Sequence, residues 1–335
     1  MAALALLATS AVAQPSAIPG ASGTLFVTER TLNTVTAFDA ATGSVLWTSP
    51  TGASPTGVTK PHGTGRVYTS DDGAAANRMS VFDERTGGFL HSIPMGARPH
   101  HLMASANGDF IYVGEFGQNT IGVVDTSLDV EIAQYPASAN PAARTHAVWI
   151  SDDGTNLYAT NSVANTISKL DARTGLLIWE FPVGNTPSEI LVTQDDRIAY
   201  VSVRNEDRIR VVDVSGALPV VLGDAEARSQ PDTLSLTNDG GTLVVGLRAS
   251  PTGQARMALV DTRTLATTYV ELPGHTTTGH QGVSANGAFT FMAVERPGAV
   301  AVIDNRSGTL VDEYPYPGAP VPHGVFYEPE VLPAQ

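Results

Sequence analysis

Hydrophobic residues along the chain come in short runs of four to six, alternating with polar ones. Runs such as Phe110-Ile111-Tyr112-Val113 and Asn156-Leu157-Tyr158-Ala159 have the two-residue period and β-branched or aromatic content of strands. No segment sustains a 3.6-residue period, so no long helix is predicted. A hydrophobic pair or triplet closing on Asp marks a repeat: it ends at Asp39, Asp83, Asp125, Asp171, Asp213, Asp261 and Asp304, at spacings of 44, 42, 46, 42, 48 and 43 residues. Each unit also holds a third run ending near Pro or Gly, then a fourth that starts after Pro and enters an Asx-Gly turn. Those turns are Asn107-Gly108, Asp153-Gly154, Asp239-Gly240 and Asn286-Gly287, dipeptides that supply the positive φ of a tight hairpin. Four antiparallel strands per unit, repeated seven times, predict an all-β, seven-bladed β-propeller. A propeller must close its ring or leave edges unpaired. The chain enters on a second strand (Thr24 to Val27) and ends on a first strand (His323 to Tyr327), so the C-terminal strand is expected to complete the N-terminal blade.

The expected organisation is a leader at residues 1–13, a linker at 14–23, the propeller at 24–327 and a tail at 328–335. The leader rests on an apolar run, Ala2 to Ala8, before Ala11-Val12-Ala13, a small-x-small site of the kind signal peptidase cleaves. Its apolar run is too short to span a bilayer, and no Lys or Arg precedes it. Export to a periplasm or the exterior, with no membrane span and a monomeric mature protein, is the expectation.

Composition narrows the chemistry. Lys and Arg total 19 against 33 Asp and Glu, a net charge of −14, so nucleic acid and anionic membranes are poor partners. The absence of cysteine removes disulfides, thiolate metal sites and Cys nucleophiles. No phosphate-binding loop, dinucleotide-binding glycine motif, nucleophile elbow or His-Glu-x-x-His pattern is present.

Tyr158-Ala159-Thr160-Asn161, Asn165 to Asp171 and Arg98-Pro99-His100-His101-Leu102 resemble the repeats of the YVTN family of β-propellers, over essentially Thr24 to Tyr327. Two units, Asp39 to Trp47 and Asp171 to Trp179, are also similar to quinoprotein repeats, in which that Trp docks neighbouring blades in nearly every unit. Only two of seven units carry it here, so Trp47 and Trp179 are read as outer-strand packing and no PQQ is expected. The resemblance implies the fold; propellers host unrelated chemistries.

Function is therefore sought in the channel. Aligned on the residues before the Asx-Gly turns, the starts of the innermost strands read His323, Thr56, His100, His146, Ser188, Asp232 and His280, the last needing a one-residue gap. His101 follows directly and is a substitute ligand. The ends of the second strands read Glu29, Asp71, Glu115, Asn161, Val203, Leu247 and Val294. Both series place polar groups on one half of the mouth, called here the top. Arg204 and Arg248, with Arg208 and Arg210 nearby, offer an anion site, although Glu206 and Asp207 favour a charge-paired loop. His62 is expected on the opposite face and His275 at the rim.

Three readings of the histidines stand side by side. They cap inner strands against the next blade; or they bind a transition metal, since neutral imidazoles suit Cu, Fe or Zn; or a His–carboxylate pair moves a proton without metal. Three functions are weighed alongside them: an exported binding propeller holding a small molecule, metal ion or partner protein at its top mouth, a metal-dependent oxidoreductase or lyase/hydrolase centred on the channel histidines, and an interaction scaffold.

Overall fold

The computed structural model describes residues 17–249, 252–316 and 320–330. The expected leader lies outside them. Seven four-stranded antiparallel sheets follow one another, each running outward from the channel in chain order. The N-terminal blade is the exception: its innermost strand is Pro322–Pro329, paired with Gly23–Glu29. The ring is closed as the strand arithmetic requires. Among the described residues no helix is long and apolar enough to cross a membrane.

The repeat-marking aspartates build the turns between second-outermost and outermost strands. Asp39 Oδ1 accepts from the amides of Ala41 and Thr42 and from Thr42 Oγ1 at 3.1, 2.8 and 2.8 Å, and Asp171 and Asp261 repeat the pattern. These side-chain acceptors satisfy turn amides that no strand pairs. Gly108 and Gly154 take φ of +78° and +71°, the left-handed conformation their hairpins need.

Blades adhere through facing hydrophobic sheets. Between the last and first blades, Phe291, Val300 and Val302 meet Leu25, Val27 and Phe38, all buried. Trp47 packs on Phe26 at 5.8 Å and donates Nε1–H to Glu84 O of the next blade at 2.9 Å. Trp179 lies on Tyr158 at 6.1 Å. Both tryptophans stand on outermost strands, far from the axis.

One irregularity governs the channel. In the third blade Pro99 pairs with Glu115 and Leu102 with Val113, so His100 and His101 together oppose Gly114. The same two-against-one bulge occurs at Thr145/Val148, Pro187/Ile190, Pro231/Leu234 and Thr278/Gln281. An unbroken strand would send consecutive side chains to opposite faces; a bulge re-aims them. The register also removes the gap assumed in the seventh blade. Thr278 opposes Val294 as Pro99 opposes Glu115, so Gly279 is the counterpart of His100, and His280 that of His101.

Candidate functional site

Each innermost strand thus offers two consecutive residues to the axis. Nearest the top mouth are His323, Thr56, His100, His146, Ser188, Asp232 and Gly279. One step deeper are Gly324, Gly57, His101, Ala147, Glu189, Thr233 and His280. The small residues leave room and the histidines fill it. His100 Nε2 lies 3.2 Å from His146 Nε2, and His101 Nε2 lies 3.0 Å from His280 Nε2. The ring of His323 lies 5.2 Å from that of His280. Ligating atoms of His100, His101 and His146 fall within 4.8 Å of one another, as do those of His101, His280 and His323. His101 belongs to both groups.

The nitrogens opposite these contacts face acceptors. His146 Nδ1 is 2.8 Å from Ser188 O. A carbonyl only accepts, so His146 carries its proton on Nδ1 and Nε2 is a bare lone pair aimed at the axis. His101 Nδ1 is 3.1 Å from Glu189 Oε2, and His100 Nδ1 is 3.7 Å from Asp72 Oδ2. The Nδ1 atoms of His100, His101 and His323 are buried without an aligned hydrogen bond.

Burial holds every one of these imidazoles neutral. Desolvation first, then neighbouring imidazoles, pushes His100 well below its ordinary value. Desolvation likewise lowers His146 and His323 well below it, His101 to about 4 and His280 to about 3. Burial pushes the Glu189 carboxyl up to about 8, so the acid beside His101 is itself protonated near neutral pH.

Above the histidines the mouth is crowded. Asp232 binds Arg204 and Arg248, the latter at 3.0 Å. Burial would raise Asp232, but these two guanidiniums hold it well below the carboxylate range. Asp72 receives Arg98 at 2.8 and 3.1 Å, with Arg30 at 3.9 Å. Phe116 lies 5.4 and 5.5 Å from the rings of His100 and His146, with the guanidiniums of Arg98 and Arg144 5.0 and 5.5 Å from its centre. The open space adjoining the cluster is on the opposite face, a cavity of about 440 Å³ that His101, Glu189 and His280 line.

The second-strand ends do not join the histidines. Glu29 accepts from Val321 N at 2.6 Å and from Thr31 N at 2.9 Å. Asp71 accepts from Ser80 Oγ at 2.7 Å and Gly52 N at 3.1 Å. Glu115 takes Gln118 Nε2 at 2.8 Å and Thr120 Oγ1 at 2.5 Å. Asn161 spends its amide on Thr166 Oγ1, Ser168 Oγ and Ala137 O at 3.2, 3.2 and 3.4 Å. These four tie loops at blade ends, because their strand lies one step out from the channel. Of the residues expected at the mouth, Asp232, Arg204 and Arg248 reach it. Arg208 and Arg210, on the strand Arg208–Asp213, pair with Asp224 of the neighbouring outermost strand and with Glu206, away from the mouth. His275 is fixed between Pro297 O and Glu313 at 2.8 and 2.6 Å. His62 lines the far-face cavity.

Glu189, Asp72, Arg30 and Arg98 were not expected in the site. Three stand beside an aligned position: Glu189 after Ser188, Asp72 after Asp71 and Arg30 after Glu29; Arg98 lies two residues before His100. The doublet His100-His101 was the visible sign that two consecutive residues face the axis.

Comparison with known proteins gives a family and a fold. The family described as PQQ: glucose/ethanol/alcohol dehydrogenase, β-propeller domain, matches residues 7–205. No curated protein sequence matches the chain. Hydrazine synthase of Kuenenia stuttgartiensis superposes with TM-score 0.73 at 18% identity, over 90% of this chain and 99% of that one. The periplasmic gluconolactonase PpgL of Pseudomonas aeruginosa gives 0.70 at 18%, over 91% and 98%. Dihydro-heme d1 dehydrogenase NirN, solved with DHE, gives 0.64 at 16%, over 92% and 75%. At such identities the likeness is one of fold alone.

The quinone that the family's name implies does not fit these residues. Five imidazoles, with successive ring centroids 4.3–5.2 Å apart, fill the axis where a flat tricyclic acid would lie. Its carboxylates would need cations, and Arg98, Arg204 and Arg248 are bound to Asp72 and Asp232.

Proposed function

The chain belongs to the PQQ dehydrogenase β-propeller family, and we propose that its channel has exchanged a quinone site for a metal centre, in which His100, His101 and His146 hold one first-row transition ion. The observation that carries this reading is the convergence of the buried, neutral imidazoles of His100, His101 and His146, whose ligating atoms lie within 4.8 Å of one another, with the Nε2 atoms of His100 and His146 3.2 Å apart. Two imidazoles bound at 2.0–2.1 Å to one ion stand about 2.9 Å apart at a right angle and about 3.4 Å apart at the tetrahedral angle. The His100–His146 spacing falls in that interval.

The surroundings support it. A metal-binding histidine ordinarily donates its other N–H to a carbonyl or carboxylate. His146 does so to Ser188 O, and His101 and His100 face Glu189 and Asp72. Three protein ligands also leave a position open, the arrangement of a catalytic rather than a structural site. Imidazole-only donors suit Cu, Zn and Fe, with Cu(II) bound tightest among the divalent ions.

Protein purified without a polyhistidine tag and reconstituted with Cu(II), Zn(II) or Fe(II) is expected to retain one equivalent after desalting. Retention below about 0.2 equivalents of each ion rejects the reading, because a preorganised three-imidazole site should survive that step. His101→Gln and His146→Gln should each abolish retention.

A further inference from the structure

Where would a molecule meet the ion? The top mouth is closed by side chains already engaged: Phe116 over His100 and His146, and ion pairs on Asp72 and Asp232. The other side differs. The C-terminal halves of the innermost strands diverge there around the cavity of about 440 Å³, a size that takes a small organic molecule. Its inner end is polar, made by His101, His280 and Glu189. Its walls are apolar: Leu102, Met103, Trp149, Leu234 and Phe326. Each of these wall residues is partly exposed, so the surface is open rather than packed core.

We propose that this far-face cavity is the substrate chamber, and that its ligand is an uncharged amphipathic molecule with one oxygen head group at His101, His280 and Glu189 and an aromatic or alkyl body against Trp149 and Phe326. The inference rests on the metal reading for what the head group meets. His101 is the link, since it joins the His100–His146 group and also lines the cavity.

Charge selects the class. The cavity's one lysine, Lys60, is bound by Glu328 at 2.8 Å and Glu84 at 3.2 Å, so in the metal-free protein no cation is spare for an anionic ligand. Glu328 also lines the cavity, at its outer end. An ammonium would have to give up its hydration next to imidazoles that carry no charge to pair it. A hydroxyl or carbonyl needs only the donors and acceptors present. Glu189 and His280, which line the cavity beside His101, supply those donors and acceptors.

The test uses 2-naphthol as a neutral probe and 2-naphthoate as its anionic counterpart, titrated into the full chain both metal-free and Cu(II)-loaded. Quenching of Trp149 and calorimetry give the affinity, and metal content is measured on the same samples. Expected is saturable one-site binding of 2-naphthol, in the metal-free protein at least about tenfold tighter than 2-naphthoate, and tightened by metal. Ala104→Trp and Leu234→Trp, on separate walls, should each weaken 2-naphthol at least about tenfold by filling the chamber. Their far-UV spectra and metal content should match those of the parent. Absence of saturable binding in both forms overturns the proposal. So does binding that neither Trp variant alters, or equal affinity for probe and anion in the metal-free protein. Equal affinity with and without bound metal overturns the link to the ion. If the protein takes up no metal yet still binds 2-naphthol in a manner sensitive to Ala104→Trp and Leu234→Trp, the chamber stands and the metal reading falls.

Discussion

His101 carries more of the site than any other side chain. It belongs to both ligand groups, its Nε2 contacts His280, and its Nδ1 faces Glu189. His101→Ala is therefore expected to abolish Cu(II) retention, whereas His323→Ala should leave it intact, because His323 is absent from the His100–His101–His146 group; metal analysis after desalting separates the two. Asp232 is the second decisive residue. Removing its carboxylate leaves Arg204 and Arg248 facing each other across a mostly buried mouth. Asp232→Ala should cost about 3–5 kcal/mol in urea unfolding, the range for breaking one side of a buried ion pair. Asp232→Ala with Arg204→Leu and Arg248→Leu should recover part of that loss. At this scale the sequence was legible where chemistry repeats and silent where it does not. His100, His146 and His323 could be aligned because each follows a recurring strand start. Glu189 could not, since nothing in its neighbourhood distinguishes a carboxyl beside an imidazole from one in solvent.

The element that builds the site is the bulge at the start of the innermost strand. It turns one axial position per blade into two, and so packs His100 and His101 of one strand against His146 and His280 of others. Hydrophobic alternation revealed the strands and the Asx-Gly turns revealed the hairpins, but a bulge inserts one residue without disturbing either signal. That is why His280 was aligned with His100 by a gap, when the strand register pairs it with His101. The bulges also press neighbouring blades together. A Cβ added at Gly114 would meet His146 O at 2.8 Å and the His146 carbonyl carbon at 3.2 Å, so either the second strand of the third blade or the innermost strand of the fourth would have to move. Gly114→Ala should cost about 1–3 kcal/mol, the range for overpacking, and weaken Cu(II) retention although residue 114 touches no ion. Unfolding midpoints and metal content, measured together, check both effects; unchanged metal content would mean that the blade spacing does not set the site.

At the scale of the whole molecule, seven sheets closed into a ring take five imidazoles out of water, and this has a consequence for acid stability. The unfolded chain binds a proton at each of these histidines near pH 6.5. The folded protein does not, since burial pushes His101 to about 4, His280 to about 3, and the other three well below their ordinary value. A depressed imidazole contributes no loss above pH 6.5, and below it the unfolded state gains protons that the folded state refuses. Stability of the metal-free protein should therefore fall by about 1.4 kcal/mol per pH unit for each such histidine between pH 6.5 and about 4. Glu189 acts in the opposite sense. Raised to about 8, it stays protonated in the fold while the unfolded chain releases its proton near pH 4.5, so its contribution is lost as pH climbs from 4.5 to 8. The two trends place the stability maximum of the metal-free protein between about pH 6 and 7. Urea unfolding in EDTA across pH 4–8 should trace that maximum. His280→Gln should lower the slope of the acid arm by one proton, and Glu189→Gln should flatten the alkaline arm while leaving the acid arm in place. Parallel acid arms in the parent and His280→Gln would mean that the imidazoles take up protons inside the folded channel, and that the ring does not hold them in the neutral state on which metal binding depends.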